Sequence, residues 1–186
     1  MGSLSEAQHS IIVGSLLGDG AMRCKTNALL EINHSVAQAD YVAWKYEQLS
    51  SLVRTPPKTR VSNGGRVACR FVTRSLPELT PYYVQFYRTG RKAVENAPAL
   101  TPLALAVWLM DGGCRSRTSV YLNTQQFDSR SQHILLAALL SQFGLRGSLN
   151  RDRCYTRIRI AVDSVAKLLE AVRPHMRPEL MYKLPQ

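Results

Sequence analysis

The chain contains an internal repeat of about 90 residues, and this repeat constrains its fold more than any other feature. Matching residue types recur in the same order in both halves. The matched pairs are Asp19 and Asp111, Asn33 and Asn123, Arg70 and Arg159, and Lys92 and Lys183, which are 92, 90, 89 and 91 positions apart. Repetition at this period predicts two copies of one structural unit.

The order of sequence patterns is also the same in both halves. Each half begins with an apolar helix that ends at an acid, followed by a strand pair, a second helix, a basic strand and a further helical segment. The strand pairs include LLEINHS and SVYLNTQ, and the second helices are QADYVAWKYEQLSSLV and SRSQHILLAALLSQFG. We therefore predict an α+β fold of two pseudo-symmetric αββαββα subdomains, residues 1–100 and 101–186, packed as one unit.

The first helix of each half carries small residues on one side. They are Gly14, Ser15 and Gly18 in the first half, and Ala104 and Ala106 in the second. Because small side chains allow two helix backbones to approach closely, we expect these helices to pack against each other. Acids at their C-terminal ends would then lie side by side. Two such carboxylates repel each other unless a divalent cation neutralises them, and hard oxygen ligands favour Mg²⁺.

The charge of the chain favours a polyanionic partner. It has 24 Lys and Arg against 13 Asp and Glu, which gives a net charge of +11. Two predicted strands carry basic residues on one face: Arg66, Arg70 and Arg74 in RVACRFVTRS, and Arg151, Arg153, Tyr155, Arg157 and Arg159 in RDRCYTRIRIAV. Further candidate contacts are Arg23, Lys25, Asn33, Arg115, Arg117, Asn123 and Gln125. We predict two basic sheets that bind nucleic acid, with a charge-protected edge strand as the alternative interpretation.

Other patterns narrow the class of protein. The longest apolar stretches, residues 11–17 and 103–110, are shorter than the roughly 20 residues that a membrane span needs. With no secretory leader before them, the expected location is intracellular, in an organelle or a bacterial cytoplasm. The four cysteines lie 40 to 45 positions apart without zinc-ligand spacing, which predicts reduced thiols.

These motifs resemble the LAGLIDADG homing endonucleases, specifically the single-chain branch with two motif copies. The copies are IVGSLLGDG at residues 12–20 and LAVWLMDGG at residues 105–113. The stretches TPLALAVWLMD, YLNTQQF and PELMYKLP are also similar to that branch. The resemblance implies a monomeric pseudo-dimer with a saddle for double-stranded DNA. It also implies Mg²⁺-dependent double-strand cleavage at a long asymmetric target. The coding sequence of such an enzyme would lie within an intron or intein.

The resemblance also implies an active site. Its catalytic residues would be Asp19, Asp111, Lys92 and Lys183, and its metal ligands would come from Gly18, Asp19, Asp111 and Gly112. One departure stands out, because the metal-binding acid of the family occupies the eighth motif position, where the second copy has Gly112. Asp111 could reach the cation through a shifted turn or through its carbonyl.

The activity that follows from this departure stays open. The first alternative is an endonuclease that cleaves both DNA strands or nicks one of them. The second is a noncatalytic nucleic-acid binder, such as an RNA splicing maturase or a DNA-binding regulator. A basic, RNA-associated structural protein is the third alternative, which the paired motif helices disfavour.

Overall fold

The computed structural model describes residues 3–61 and 64–185. The first half contains α1 (Glu6–Leu17), β1 (Ala21–Cys24), β2 (Ala28–Ser35), α2 (Ala39–Gln48), β3 (Lys58–Val61), β4 (Val67–Val72), α3 (Thr80–Phe86), β5 (Tyr87–Arg88) and β6 (Arg91–Lys92). The second half contains α4 (Pro102–Gly112), β7 (Gly113–Ser116), β8 (Ser119–Leu122), α5 (Ser129–Phe143), β9 (Gly147–Asp152), β10 (Tyr155–Ile160) and α6 (Val165–Val172).

The two halves share one topology. Their antiparallel four-stranded sheets have the strand orders β1-β2-β4-β3 and β7-β8-β10-β9. Buried residues alternate along β2 from Ala28 to His34, so one face of that sheet packs on the core while the other is accessible. The order of elements confirms the predicted α+β fold with two αββαββα units.

Helices α1 and α4 pack against each other at the centre of the molecule. A Cβ atom added at Gly14 would lie 2.4 Å from the Ala104 carbonyl oxygen and 2.6 Å from Val107 Cβ. A Cβ added at Gly18 would lie 2.3 Å from Asp111 Cβ. Since real Cβ atoms do not approach this closely, glycine is required at both positions. The predicted close packing of the two helices is confirmed.

Gly14→Ala is therefore expected to destabilise the fold by about 1–3 kcal/mol through overpacking of the helix pair. Gly112→Ala is the matched control, because a Cβ at this helical glycine would lie 3.6 Å from its nearest neighbour, the Asn123 carbonyl oxygen. That control should unfold at the same or a higher urea concentration, since alanine favours helix over glycine. Urea denaturation of both variants measures the difference. Equal free energies of unfolding would contradict the packing described here.

The stretch RDRCYTRIRIAV does not form the single strand predicted for it. A hairpin divides it: β9 ends at Asp152, β10 begins at Tyr155, and Arg153 has a positive φ of 58° in the turn between them. Arg151 therefore lies on β9, opposite Thr156, and Arg153 lies on neither strand. The predicted row of five residues on one face was wrong, and only its three members in β10 share a face.

The basic face predicted for RVACRFVTRS is also shorter than expected. Strand β4 covers Val67–Val72, so Arg66 precedes it and Arg74 follows it. The Arg74 guanidinium donates to the Ser51 carbonyl oxygen at 2.8 Å, which binds it to the segment after α2. Of the three arginines, Arg70 alone lies within the strand.

Two further expectations concern the cysteines and membrane-spanning helices. In the structure all four cysteines are free thiols. Within the described part of the chain, no helix has the length and apolar character required to cross a membrane.

Candidate active site and nucleic-acid interface

Two lysines bind the C-terminal ends of the paired helices. Lys92, placed by the β5–β6 hairpin, donates from Nζ to the Gly18 carbonyl oxygen at 2.8 Å. Lys183 donates from Nζ to the Asp111 carbonyl oxygen at 3.1 Å and also to the carbonyl of Met110. Each lysine thus binds the end of the motif helix of its own half, which makes Gly18 and Asp111 structural counterparts.

Gly112 is consequently the counterpart of Asp19. Pairing Asp19 with Asp111 at a spacing of 92 was one position out of register, because the equivalent residue lies at position 112. The Gly112 carbonyl, a predicted cation ligand, accepts the backbone N–H of Asn123 at 2.8 Å. The second half has no side-chain carboxylate where the first half has Asp19.

The Asp111 carboxylate lies inside a buried polar cluster formed by His34, Tyr41, Lys45 and Asp111. Its two oxygens lie 2.7 and 2.9 Å from Lys45 Nζ, and one of them accepts from Tyr41 Oη at 2.7 Å. The side chains of Lys45 and Asp111 are both 0% exposed. This placement argues against Asp111 as a cation ligand through its side chain, since Lys45 already neutralises it.

Burial controls the protonation of this cluster. It lowers the pKa of His34 to about 4, and the Lys45 charge adds to the shift. His34 is therefore neutral at pH 7, and its Nε2 faces Lys45 Nζ at 3.5 Å. We assign the proton to Nδ1, which lies 3.8 Å from an Asp19 carboxylate oxygen. Burial also lowers the pKa of Lys45, against the opposing effect of Asp111.

Asp19 is the accessible acid of the site, with a side chain that is 57% exposed. Partial burial and the Asp111 charge raise its pKa. Burial lowers the pKa of Lys92 to about 8 and lowers the pKa of Lys183 as well. Asp19 thus presents an open carboxylate beside lysines that release a proton more readily than lysines in water.

The residues around Asp19 suit the binding of a single hard divalent cation. The Asn123 Oδ1 atom, next to Gly112, is shielded from solvent and has no hydrogen-bond partner among the described residues. Across residues 3–61 and 64–185, no three His, Cys, Asp or Glu side chains are grouped closely enough to hold a metal ion. A cation here would depend on the Asp19 carboxylate, backbone or amide oxygens, water and substrate, a ligand set that suits Mg²⁺.

One acid pairs with two arginines on the accessible face of the N-terminal sheet. Glu31 on β2 accepts from Arg70 at 2.9 Å and also pairs with Arg23 of β1. Asn33 lies directly opposite Arg70 and is exposed. Two of the predicted basic contacts are therefore partly neutralised within the protein, and this face carries less free positive charge than the sequence suggested.

The C-terminal sheet carries Arg157 and Arg159 on its accessible face. The Arg157 guanidinium lies 4.1 Å from the centre of the Tyr121 ring and 3.7 Å from an Asp152 carboxylate oxygen. Gln125 donates to the same Asp152 side chain at 3.4 Å. Arg159, two residues along β10, lies opposite Tyr121 on this face. The sheet thus holds two arginines on its accessible side, and the Arg157 guanidinium is held by Tyr121 and Asp152.

The other predicted contacts are distributed around the sheets. Lys25 and Arg117 are exposed in the turns β1–β2 and β7–β8. Arg115 on the edge strand β7 lies opposite buried Val120, so it is on the other face from the β10 arginines. Tyr155 is exposed at the start of β10. These residues do not converge on one patch.

The chain matches a family of known proteins over most of its length. A model described as the LAGLIDADG DNA endonuclease family matches residues 9–168. The chain belongs to this family. This LAGLIDADG protein has two motif helices, and the first is followed by Asp19 whereas the second has Gly112 at the corresponding position.

Relatives of this LAGLIDADG protein carry different names. Protein RecA of Mycolicibacterium flavescens is 31% identical over 97% of this chain and 47% of its own length. The cytochrome b mRNA maturase bI2 of Debaryomyces hansenii is 23% identical over 97% of this chain and 74% of its own length. The chain therefore spans about half the length of its RecA-named relatives.

Solved structures support the fold. The homing endonuclease I-WcaI bound to its DNA recognition sequence aligns with a TM-score of 0.90 and 23% identity over 99% of this chain and 88% of that one. A variant of I-DmoI in complex with its target DNA and in the presence of Mn has a TM-score of 0.59 and 12% identity over 93% of this chain and 97% of that one. At these identities the similarity establishes a shared fold.

Sequence reasoning missed the buried polar cluster. Lys45 occupies the same helical stripe as Tyr41 and Val42, and all three are buried in α2. A lysine at an apolar position of an amphipathic helix is the signal that could have indicated a buried partner. The identity of that partner, 66 positions away in the other half, carries no local signal.

Proposed function

We propose that this LAGLIDADG protein is a site-specific DNA endonuclease with one complete active site, centred on Asp19. The observation that carries the proposal is the pair of lysine contacts to the Gly18 and Asp111 carbonyls, which supports Gly112 as the counterpart of Asp19. One scissile phosphate would then lie near a carboxylate and the other near a glycine. The cut strand would be the one held at Asp19.

The residues around Asp19 suit phosphodiester hydrolysis. Asp19 and neighbouring oxygens would hold a divalent cation, which when bound neutralises phosphate charge and favours ionisation of a water molecule. Lys92, whose pKa is about 8, would exchange a proton with water or stabilise charge on the phosphate. The neutral His34 ring lies beside Asp19, with Nδ1 at 3.8 Å from one of its carboxylate oxygens.

The accessible arginines support binding to a DNA backbone or base edge. Arg70 and Arg157 have side chains that are 28% and 25% exposed, and Arg159 lies opposite Tyr121 on the same face as Arg157. Their accessible guanidinium N–H groups would donate to an incoming phosphate or to the edge of a guanine base. We propose double-stranded DNA as the partner and an intron or intein as the origin of the coding sequence.

The test is strand-resolved cleavage, and we expect nicking to exceed double-strand cleavage. A target is selected from randomised duplexes by repeated binding and is then placed in a supercoiled plasmid. In Mg²⁺, nicked circles should accumulate before linear product, because each strand requires its own activated water and charge neutralisation. End-labelled duplex then identifies the cut strand. Equal cutting of both strands would contradict the single-site proposal.

DNA binding should weaken steeply with salt and should involve one protein chain per duplex. Removing one contact to a phosphate reduces the slope of log K against log salt by about 1. Arg157→Gln on the C-terminal sheet should show that reduction. Arg173→Gln, which changes an exposed arginine after α6, should leave the slope unchanged. Fluorescence anisotropy across salt concentrations gives both slopes, and identical slopes would exclude Arg157 from the interface.

A noncatalytic nucleic-acid binder is the second candidate. Gly112 favours it, and two of the chain's relatives are named as mRNA maturases. For this candidate, RNA containing a folded intron would compete with DNA, and no substitution at Asp19 would alter any activity.

A further inference from the structure

The Lys45–Asp111 ion pair joins the two halves of the molecule and also touches the turn that carries Asp19. The Asp19 backbone N–H donates to Asp111 Oδ2 at 3.3 Å. Gly18, the preceding residue, packs so closely that an added Cβ would lie 2.3 Å from Asp111 Cβ. The turn after α1 is therefore seated directly on the Asp111 side chain.

The Asp111 carboxylate is itself held in one orientation. Lys45 Nζ binds both of its oxygens, and Tyr41 Oη binds one of them, all from α2. The helix that supplies these donors belongs to the same half as Asp19, whereas Asp111 ends the motif helix of the other half. Contacts from α2 thus reach the Asp19 turn through a residue of the other half.

We propose that Lys45 and Asp111 form a positioning pair that fixes the Asp19 turn, with Asp111 as the acceptor and Lys45 as the group that orients it. Neither side chain touches the substrate. The effect on cleavage rests on the proposed function, because only there does the Asp19 carboxylate require an accurate position. Displacement of a reacting group by about 1 Å can cost about 10²-fold in rate.

A merely structural ion pair would give a different result. Replacing both members of such a pair with apolar residues of similar shape is often neutral for stability or stabilising. Two double variants separate the roles. Lys45→Met with Asp111→Leu removes the charges and the acceptor, whereas Lys45→Met with Asp111→Asn removes the charges but keeps an amide oxygen that accepts the Asp19 N–H. Both avoid an unpaired buried charge.

We expect the two double variants to differ in their readouts at Asp19. In the leucine variant, hydrogen exchange of the Asp19 amide should accelerate at least about 10-fold, and nicking of the selected target should fall about 10²-fold. The asparagine variant should restore both measurements to within about 10-fold of the parent chain. A folded leucine variant with parental exchange and parental nicking would overturn the proposal.

The parent chain provides a test that does not depend on the variants folding. Its Asp19 amide should exchange more slowly than the amide of Thr26, an exposed residue of the β1–β2 turn. Equal exchange rates would show that the hydrogen bond to Asp111 is absent and would overturn the proposal. If the parent chain nicks no DNA, the proposed endonuclease function fails, whereas the exchange of the Asp19 amide still decides the positioning role.

Discussion

Gly112→Asp is expected to raise Mg²⁺-dependent double-strand cleavage of the selected target by about 10²–10³-fold, because it supplies the missing electrostatic group of the second site. The structure has room for the Cβ atom that this substitution adds. A Cβ at position 112 would lie 3.6 Å from the Asn123 carbonyl oxygen and 3.9 Å from Gly18 Cα, which are ordinary contact distances. The plasmid assay measures the gain as linear product formed from nicked intermediate.

Two comparisons make the Gly112→Asp result specific. Gly112→Asn has nearly the same size without the charge and should give little linear product. The added carboxylate also lies near Asp19, so Gly112→Asp should have a lower thermal midpoint without metal and should recover it in Mg²⁺. If the parent chain already linearises the plasmid and Gly112→Asp brings no gain, the second site is complete without this acid and the assignment of Gly112 is wrong.

Asp19→Asn is expected to remove the nicking activity, with a loss of about 10²–10³-fold or more. DNA binding should stay the same or strengthen, since a negative charge leaves the interface. The raised pKa of Asp19 means that its ionised form opposes folding, so the substitution should not lower the thermal midpoint at neutral pH. Single-turnover nicking, anisotropy and thermal unfolding give the three measurements.

The control for Asp19→Asn is Glu170→Gln, which neutralises an exposed acid on α6. It should nick at the parental rate, which excludes a general effect of net charge. Residual nicking by Asp19→Asn at the parental rate would remove Asp19 from the mechanism and would favour a contaminating nuclease or the noncatalytic binder.

The fold could be predicted from sequence where periodic patterns extend over many residues. For example, Ser5 and Gln8 have the sequence pattern of a capping box and form it at the start of α1, with hydrogen bonds of 3.1 and 3.2 Å, and Gly144 ends α5 with a φ of 64°. These signals are local and involve residue types with strong preferences. The order of helix and strand patterns, which is the same in both halves, was sufficient to predict both αββαββα units.

The β9–β10 hairpin could not be predicted in this way. Its two-residue turn is formed by Arg153 and Cys154, and it contains no glycine, asparagine or proline to indicate a chain reversal. Because the alternation of residues continues through the turn, a single strand was the simpler interpretation. The partners of β10 across the sheet determine its ends.

The arrangement of the candidate site depends on long-range contacts. The motif alignment pairs Asp19 with Gly112 and the repeat of acids pairs it with Asp111, and the contacts of Lys92 and Lys183 support the first of these registers. The pairing of Glu31 with two arginines likewise requires the register between neighbouring strands. The local sequence predicted which residue types the site contains. The tertiary structure determined which of these side chains are paired within the protein and which are accessible to a ligand.

The buried lysine also determines which assemblies the separated halves can form. Lys45 has Leu135 as its counterpart, 90 positions later and buried at the same place in α5, just as Asp111 has Gly18. In a homodimer of the N-terminal half, each buried Lys45 would face Gly18 of the other copy in place of Asp111. In a homodimer of the C-terminal half, each buried Asp111 carboxylate would face Leu135 of the other copy in place of Lys45. Because an unpaired charge in such a site costs several kcal/mol, each half is complementary to the other and not to itself. Expressed as two polypeptides, the halves should associate as a heterodimer.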